Sequence, residues 1–175
     1  SLYHSVKIKS NQIKIIDNQD SYNFEGDISN LKSKIDLSKF SVFLNKNMAS
    51  IVKDDLTISS NNKFSFRLNK KVKFSDINIQ SKISLEELQY SNDIFKRFFP
   101  GYKKYVKFEN NFITIDYNNG DYQINGKSKI NINGDIDNIK FSLKKIKKEF
   151  FYNFNFELIN SAVNFKILNY TKNKD

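Results

Sequence analysis

From Tyr122 to Leu143 the chain reads Y-Q-I-N-G-K-S-K-I-N-I-N-G-D-I-D-N-I-K-F-S-L, apolar and polar residues alternating for most of its length. Strand side chains point to opposite faces with period two, so this run predicts extended antiparallel strands with one wet face and one apolar face. Tyr122, Ile124, Ile130 and Ile132 share the apolar side, with Gly126 and Ser128 as small positions between them. Small residues there leave room for curvature, a neighbouring ring or a bound chain. After Gly134 and Asp135 the parity passes to Ile139, Phe141 and Leu143.

The same pattern recurs along the chain. Tyr3 to Lys9, Gln12 to Ile16, Tyr22 to Ile28, Ile35 to Leu37 and Phe40 to Leu44 read as short strands. Phe64, Phe66 and Leu68 alternate with Lys63, Ser65 and Arg67, and a parity change at Ser75 and Asp76 demands a bulge or a turn. Ile113, Ile115 and Tyr117 lead into Asn118-Asn119-Gly120-Asp121, whose Asn and Gly suit the positive-φ positions of a tight turn. Lys144 to Lys148 reads as an exposed connection. Beyond it Phe150, Tyr152, Phe154, Phe156 and Leu158 oppose Phe151, Asn153, Asn155 and Glu157, and a last strand carries Val163, Phe165 and Ile167 before a charged end from Lys172 to Asp175.

One helix is predicted, over Glu86 to Phe99. Ser84 and Glu87 fit a capping box, Leu88, Phe95, Phe98 and Phe99 recur at helical spacing, and Pro100-Gly101 ends the run. Such a helix caps an apolar sheet face or, with Lys96 and Arg97 beside Phe98, lies on a membrane surface. The expected fold is therefore mainly β: a long, strongly curved amphipathic antiparallel sheet forming an open groove, with a helical cap or insertion over 85–100. A closed sandwich or barrel is the alternative, since an apolar sheet face must be covered. At 175 residues the chain fits one domain, and it starts at Ser1, which fits a section of a longer protein.

Composition narrows the function. Lys and Arg number 29 against 19 Asp and Glu, a formal charge of +10, spread over both halves. All but two of the basic residues are Lys, the exceptions being Arg67 and Arg97, so bidentate reading of bases or phosphates is poorly provided for. Lys103, Lys104 and Lys107 interleave with Tyr105 and Phe108, yet alternation separates most rings from the lysines, and no specific nucleic acid is expected. Cysteine is absent and His4 is the lone histidine, which leaves no thiolate or histidine metal set. Asp135 and Asp137 lack the remaining ligands of a calcium loop and read as turn residues; Glu86 and Glu87 read as helix-start charges. No catalytic residue, metal site or cofactor is predicted.

The segment from about Leu85 to Tyr170 resembles the repetitive β-rich periplasmic regions of the AsmA-like family, which includes YhdP- and TamB-type proteins. The resemblance rests on the Phe98-Phe99-Pro100 stop, Tyr102 to Phe108, Phe112 to Tyr117, the glycine-punctuated Ile124, Gly126, Ile130, Ile132 and Gly134, and the following Phe141 and Leu143. It implies a section of an inner-membrane-anchored protein of a diderm bacterium, extending through the periplasm as a hydrophobic, taco-like β-groove that carries phospholipids towards the outer membrane. Its partners would be phospholipid acyl chains, adjoining groove sections of the same longer chain and envelope proteins. The lining predicted for this chain is Phe64, Phe66, Ile124, Ile130, Ile132, Phe141, Leu143, Phe154 and Phe156.

Overall fold

Two-residue turns set the architecture. Asn119 and Gly120 take φ of 48° and 99°, and Asn133 and Gly134 take 54° and 103°, the left-handed backbone that closes a tight hairpin. A computed structural model describes residues 7–36, 51 and 55–173. Its strands are β1 (Ile8–Lys9), β2 (Ile13–Asn18), β3 (Ser21–Asp36), β4 (Asp55–Asn69), β5 (Phe74–Tyr90), β6 (Val106–Asn118), β7 (Asp121–Ile132), β8 (Asp135–Ile146) and β9 (Glu149–Glu157). From β3 to β9 each strand pairs antiparallel with its sequence neighbours, while β1 and β2 both lie along the outer side of β3.

Among the described residues β9 at one side and β1 with β2 at the other have no strand beyond them, so the nine-stranded sheet is open. It does not close into the sandwich or barrel held as the alternative. The expected strand at Phe40 to Leu44, the start of that at Tyr3 to Lys9, Leu37, His4 and the last two residues lie outside the described residues.

The helix is far shorter than expected. Within the expected span only Phe95–Phe98 (α1) is helical, and Glu86 to Tyr90 belong to β5, paired with β6. The misleading signal has a physical origin. Leu85 pairs with Asn111 and Leu88 with Phe108, while the intervening Glu86 and Asn110 drop out of the ladder and Asn110 takes a φ of 54°. This irregularity turns Leu85 and Leu88 to the same face at a spacing of three, which imitates a helix. Asn111 bridges the gap, its Nδ2 donating to the carbonyls of Leu85 and Phe108 at 3.0 Å each. Ser84 and Glu87 therefore cap nothing; Glu86 forms an ion pair with Lys32, and Glu87 accepts a hydrogen bond from Gln89 at 2.7 Å.

Two further expectations change. The lysine run is not a loop: β8 reaches Ile146 and only Lys147 and Lys148 form the turn, Lys147 at a φ of 55°. The last expected strand is a small hairpin, β10 (Val163–Phe165) and β11 (Tyr170–Lys172), separated by a 3-10 turn at Lys166–Leu168. The irregularity expected near Ser75 and Asp76 is present: the β4–β5 register shifts there and Asp76 takes a φ of 53°.

The buried core is small and sits at one end of the sheet. Val106, Ile130, Ile132 and Ile139 pack beneath Phe99, Tyr102 and Val163, with Phe95, Phe98, Phe108, Leu158 and Phe165 around them. The helix and the terminal hairpin form this cover together, Phe98 meeting Phe165 at 5.4 Å between ring centres. Tyr102 holds the loop in place: its hydroxyl donates to the Lys104 carbonyl at 2.8 Å and accepts from the Asn92 N–H at 3.1 Å.

Midway along β7 the Phe141 ring lies over Gly126, its cross-strand partner, and a Cβ added to Gly126 would stand 2.2 Å from that ring. A neighbouring ring thus fills the small position noted in the sequence. Gly126→Ala is expected to push the Phe141 ring off the strand at a cost of about 1–2 kcal/mol, read as a lower urea midpoint with changed Phe141 ring resonances.

Candidate functional site

Cross-strand register collects the apolar residues on one side. One row runs Phe64, Ile79, Tyr117 and Tyr122; the next runs Ile115, Ile124, Leu143 and Tyr152; a third runs Ile83, Ile113, Gly126, Phe141 and Phe154. Ile139 meets Phe156 in the row beyond, and Leu88, Phe108, Ile130 and Asp137 follow. All nine predicted lining residues therefore share one face. They do not share one environment. Ile130 and Ile132 are buried under the helix and hairpin; Phe64, Phe66, Ile124, Phe141 and Leu143 are half-buried; Phe154 and Phe156 are 57% and 44% exposed.

Rings tile the open part of this face. Phe24, Phe64, Phe66 and Phe74 form one cluster, with centroids 4.8 Å apart for Phe24 and Phe66 and 5.4 Å for Phe66 and Phe74. Phe141, Phe154 and Phe156 form another, with successive centroids 6.4 Å apart. Such offset pairs add modest attraction to the area they bury. Ile13, Ile15, Phe24, Phe74, Phe150 and Tyr152 belong to the same face although the sequence-based lining omitted them. The alternation of Ile13 with Ile15, and of Phe150 with Tyr152, carried the signal; which side faced Phe64 depended on the pairings of β2 with β3 and β3 with β4.

The predicted cap residues divide. Leu88 lies on β5, Phe99 is buried, and Phe95 and Phe98 are half-buried against the core, while Ile94, Lys96 and Arg97 face solvent. Among the described residues no helix is long and apolar enough to cross a membrane.

The opposite face is mostly polar, with Ile16, Phe112, Ile136, Ile146 and Phe151 exposed among its polar residues, and the recesses lie on that side. Asp27, Lys63, Gln80, Asp116, Gln123 and Lys144 make one cross-strand row. Together with Lys14 and Glu25, ion-paired at 3.0 Å, this row borders an open trough of about 1160 Å³. A second trough of about 540 Å³ is bordered by Phe112, Thr114, Asn125, Lys127, Lys140 and Phe141. Of the predicted lining residues, Phe64 borders the first trough and Phe141 the second.

Asp137 is not a turn residue. It lies within β8, on the apolar face, 3% exposed, and its carboxylate receives the N–H groups of Ile159, Asn160 and Ser161 at 2.7, 2.8 and 2.9 Å. Burial pushes this carboxyl upward, but the hydrogen bonds from Asn160, Ser161 and Ile159 outweigh it and hold it below the ordinary carboxylate range. The carboxylate fastens the bend after β9, and so aims the hairpin onto the core. Asp135 opens β8 opposite Ile132. Among the described residues no group of three or more His, Cys, Asp or Glu is placed to hold a metal ion.

No protein-family model, curated protein or solved structure matches the chain.

Proposed function

We propose that this chain is a non-enzymatic section of a hydrophobic path for phospholipids, its apolar face receiving acyl chains as one wall of a groove. The observation that carries this reading is the uncovered apolar face from Ile13 and Ile15 on β2 to Phe154 and Phe156 on β9, with exposed rings at both sides and a buried core at one end only. Exposed apolar patches of this extent mark interaction surfaces.

The chemistry suits passage. Each acyl methylene taken from water contributes about 0.8 kcal/mol without directional bonds, so a chain can slide from row to row. In the full reading, adjoining β-sections of a longer, inner-membrane-anchored protein continue the path through the periplasm, and phospholipid moves between the inner and outer membranes. The likeness to AsmA-like proteins supports that setting.

Native mass spectrometry of the folded chain incubated with phosphatidylethanolamine tests the reading. Phospholipid adducts are expected, and Phe154→Asp, on an exposed position, should weaken them at least about tenfold with the fold retained by circular dichroism. Folded protein that takes up no phospholipid would refute it.

A further inference from the structure

The two sides of the sheet are built differently. Along β3 the neighbouring strand is broken into the two residues of β1 and the six of β2, with Lys7, Lys9 and Lys14 beside the break. Lysines and interruptions of this kind discourage further strand pairing. At the other side β9 runs nine residues, E-F-F-Y-N-F-N-F-E, in unbroken register with β8, and holds no Lys, Pro or Gly. All nine are exposed. Nor does the following chain cover it, because after Leu158 the backbone leaves the sheet and β10 packs against α1.

We infer that β9 pairs with β9 of a second copy of this chain, antiparallel about a two-fold axis at Tyr152. Self-pairing needs a strand that complements its own reverse, and like charges exclude some registers. With the axis at Tyr152, Phe150 faces the partner's Phe154, Phe151 faces the partner's Asn153, and Glu149 faces the partner's Asn155, so no like charges meet within the strand. With the axis one position on, at Asn153, Glu149 would face the partner's Glu157 twice, which is unfavourable. The Tyr152 axis satisfies the free backbone groups of both edges, brings aromatic residues together on one side, and joins the two apolar faces into a single surface. This goes beyond the lipid reading and does not depend on it.

The test uses the full chain, in which any introduced cysteine is the only one. Sedimentation equilibrium should give a monomer–dimer equilibrium, and Tyr152→Lys, which sets two ammonium groups against each other, should raise the dimer Kd at least about tenfold. Tyr152 is 63% exposed, so the variant monomer should keep the wild-type circular dichroism. Ile15→Lys, on the opposite side of the sheet, should leave the Kd unchanged. Under mild oxidation Tyr152→Cys should cross-link and Phe154→Cys should not. A chain that stays monomeric, a dimer indifferent to Tyr152→Lys, or cross-linking through Phe154→Cys alone would each overturn the inference; uptake of phospholipid is irrelevant to all three.

Discussion

Ile130→Ala is expected to lower the stability of the fold by about 4 kcal/mol, the upper part of the range for truncating a buried aliphatic side chain. Ile130 is 1% exposed and stands at the centre of the small core, with Phe108 across one strand boundary and Asp137 across the other. The sheet has little other fully buried apolar packing with which to absorb the loss. A large fall in the urea midpoint, with the helix and hairpin released, is the predicted result; Ile124→Ala, at a half-buried position on the same strand, should cost well under half as much. Equal effects at the two positions would show that the core is not concentrated at this end.

Asp137→Ala is expected to cost about 3 kcal/mol, because three backbone N–H groups lose a charged acceptor in a site closed to solvent. Asp137→Asn keeps one acceptor oxygen and should cost less. The sign of the acid dependence follows from the lowered folded-state pKa: the stabilisation is present above the pKa of the unfolded carboxyl and is lost as pH falls through the folded value. Wild type should therefore lose more stability than Asp137→Asn between about pH 6 and about pH 2 in urea titrations. Identical acid sensitivity would mean that the carboxylate does not hold the bend. Hydrogen exchange at Val163 and Phe165 should rise in Asp137→Ala, since the hairpin loses its fastening.

Strands β7 and β9 and the Asn119-Gly120 hairpin were legible in the sequence because period-two alternation and Asn-Gly turns act locally, whereas the end of β8 lay in the lysine run that reads as a connection. The nine lining residues fell on one face for the same reason: parity decides the side whatever the neighbouring strand. The helix was misread at Leu85 and Leu88, where a paired irregularity in two strands reproduced helical spacing, and no single strand reveals such a feature. Asp137 resembled a turn residue because its partners, Ile159 to Ser161, lie more than twenty positions away. The larger trough had no sequence signature either, since its border brings Asp27, Lys63, Gln80, Asp116, Gln123 and Lys144 together across six strands.

The order of the strands also governs how the molecule is made. From β3 onward each one bonds to the strand synthesised just before it, and β7, β8 and β9 are joined by turns of two residues. Pairing between sequence neighbours lets a chain gain structure as it lengthens, each strand meeting one already made. Its cooperativity is that of a quasi-one-dimensional array, in which loss of a terminal member leaves the interior coupled. Fraying should thus begin at the outermost strands and travel inward, and a chain emerging strand by strand can build its apolar face progressively from one side.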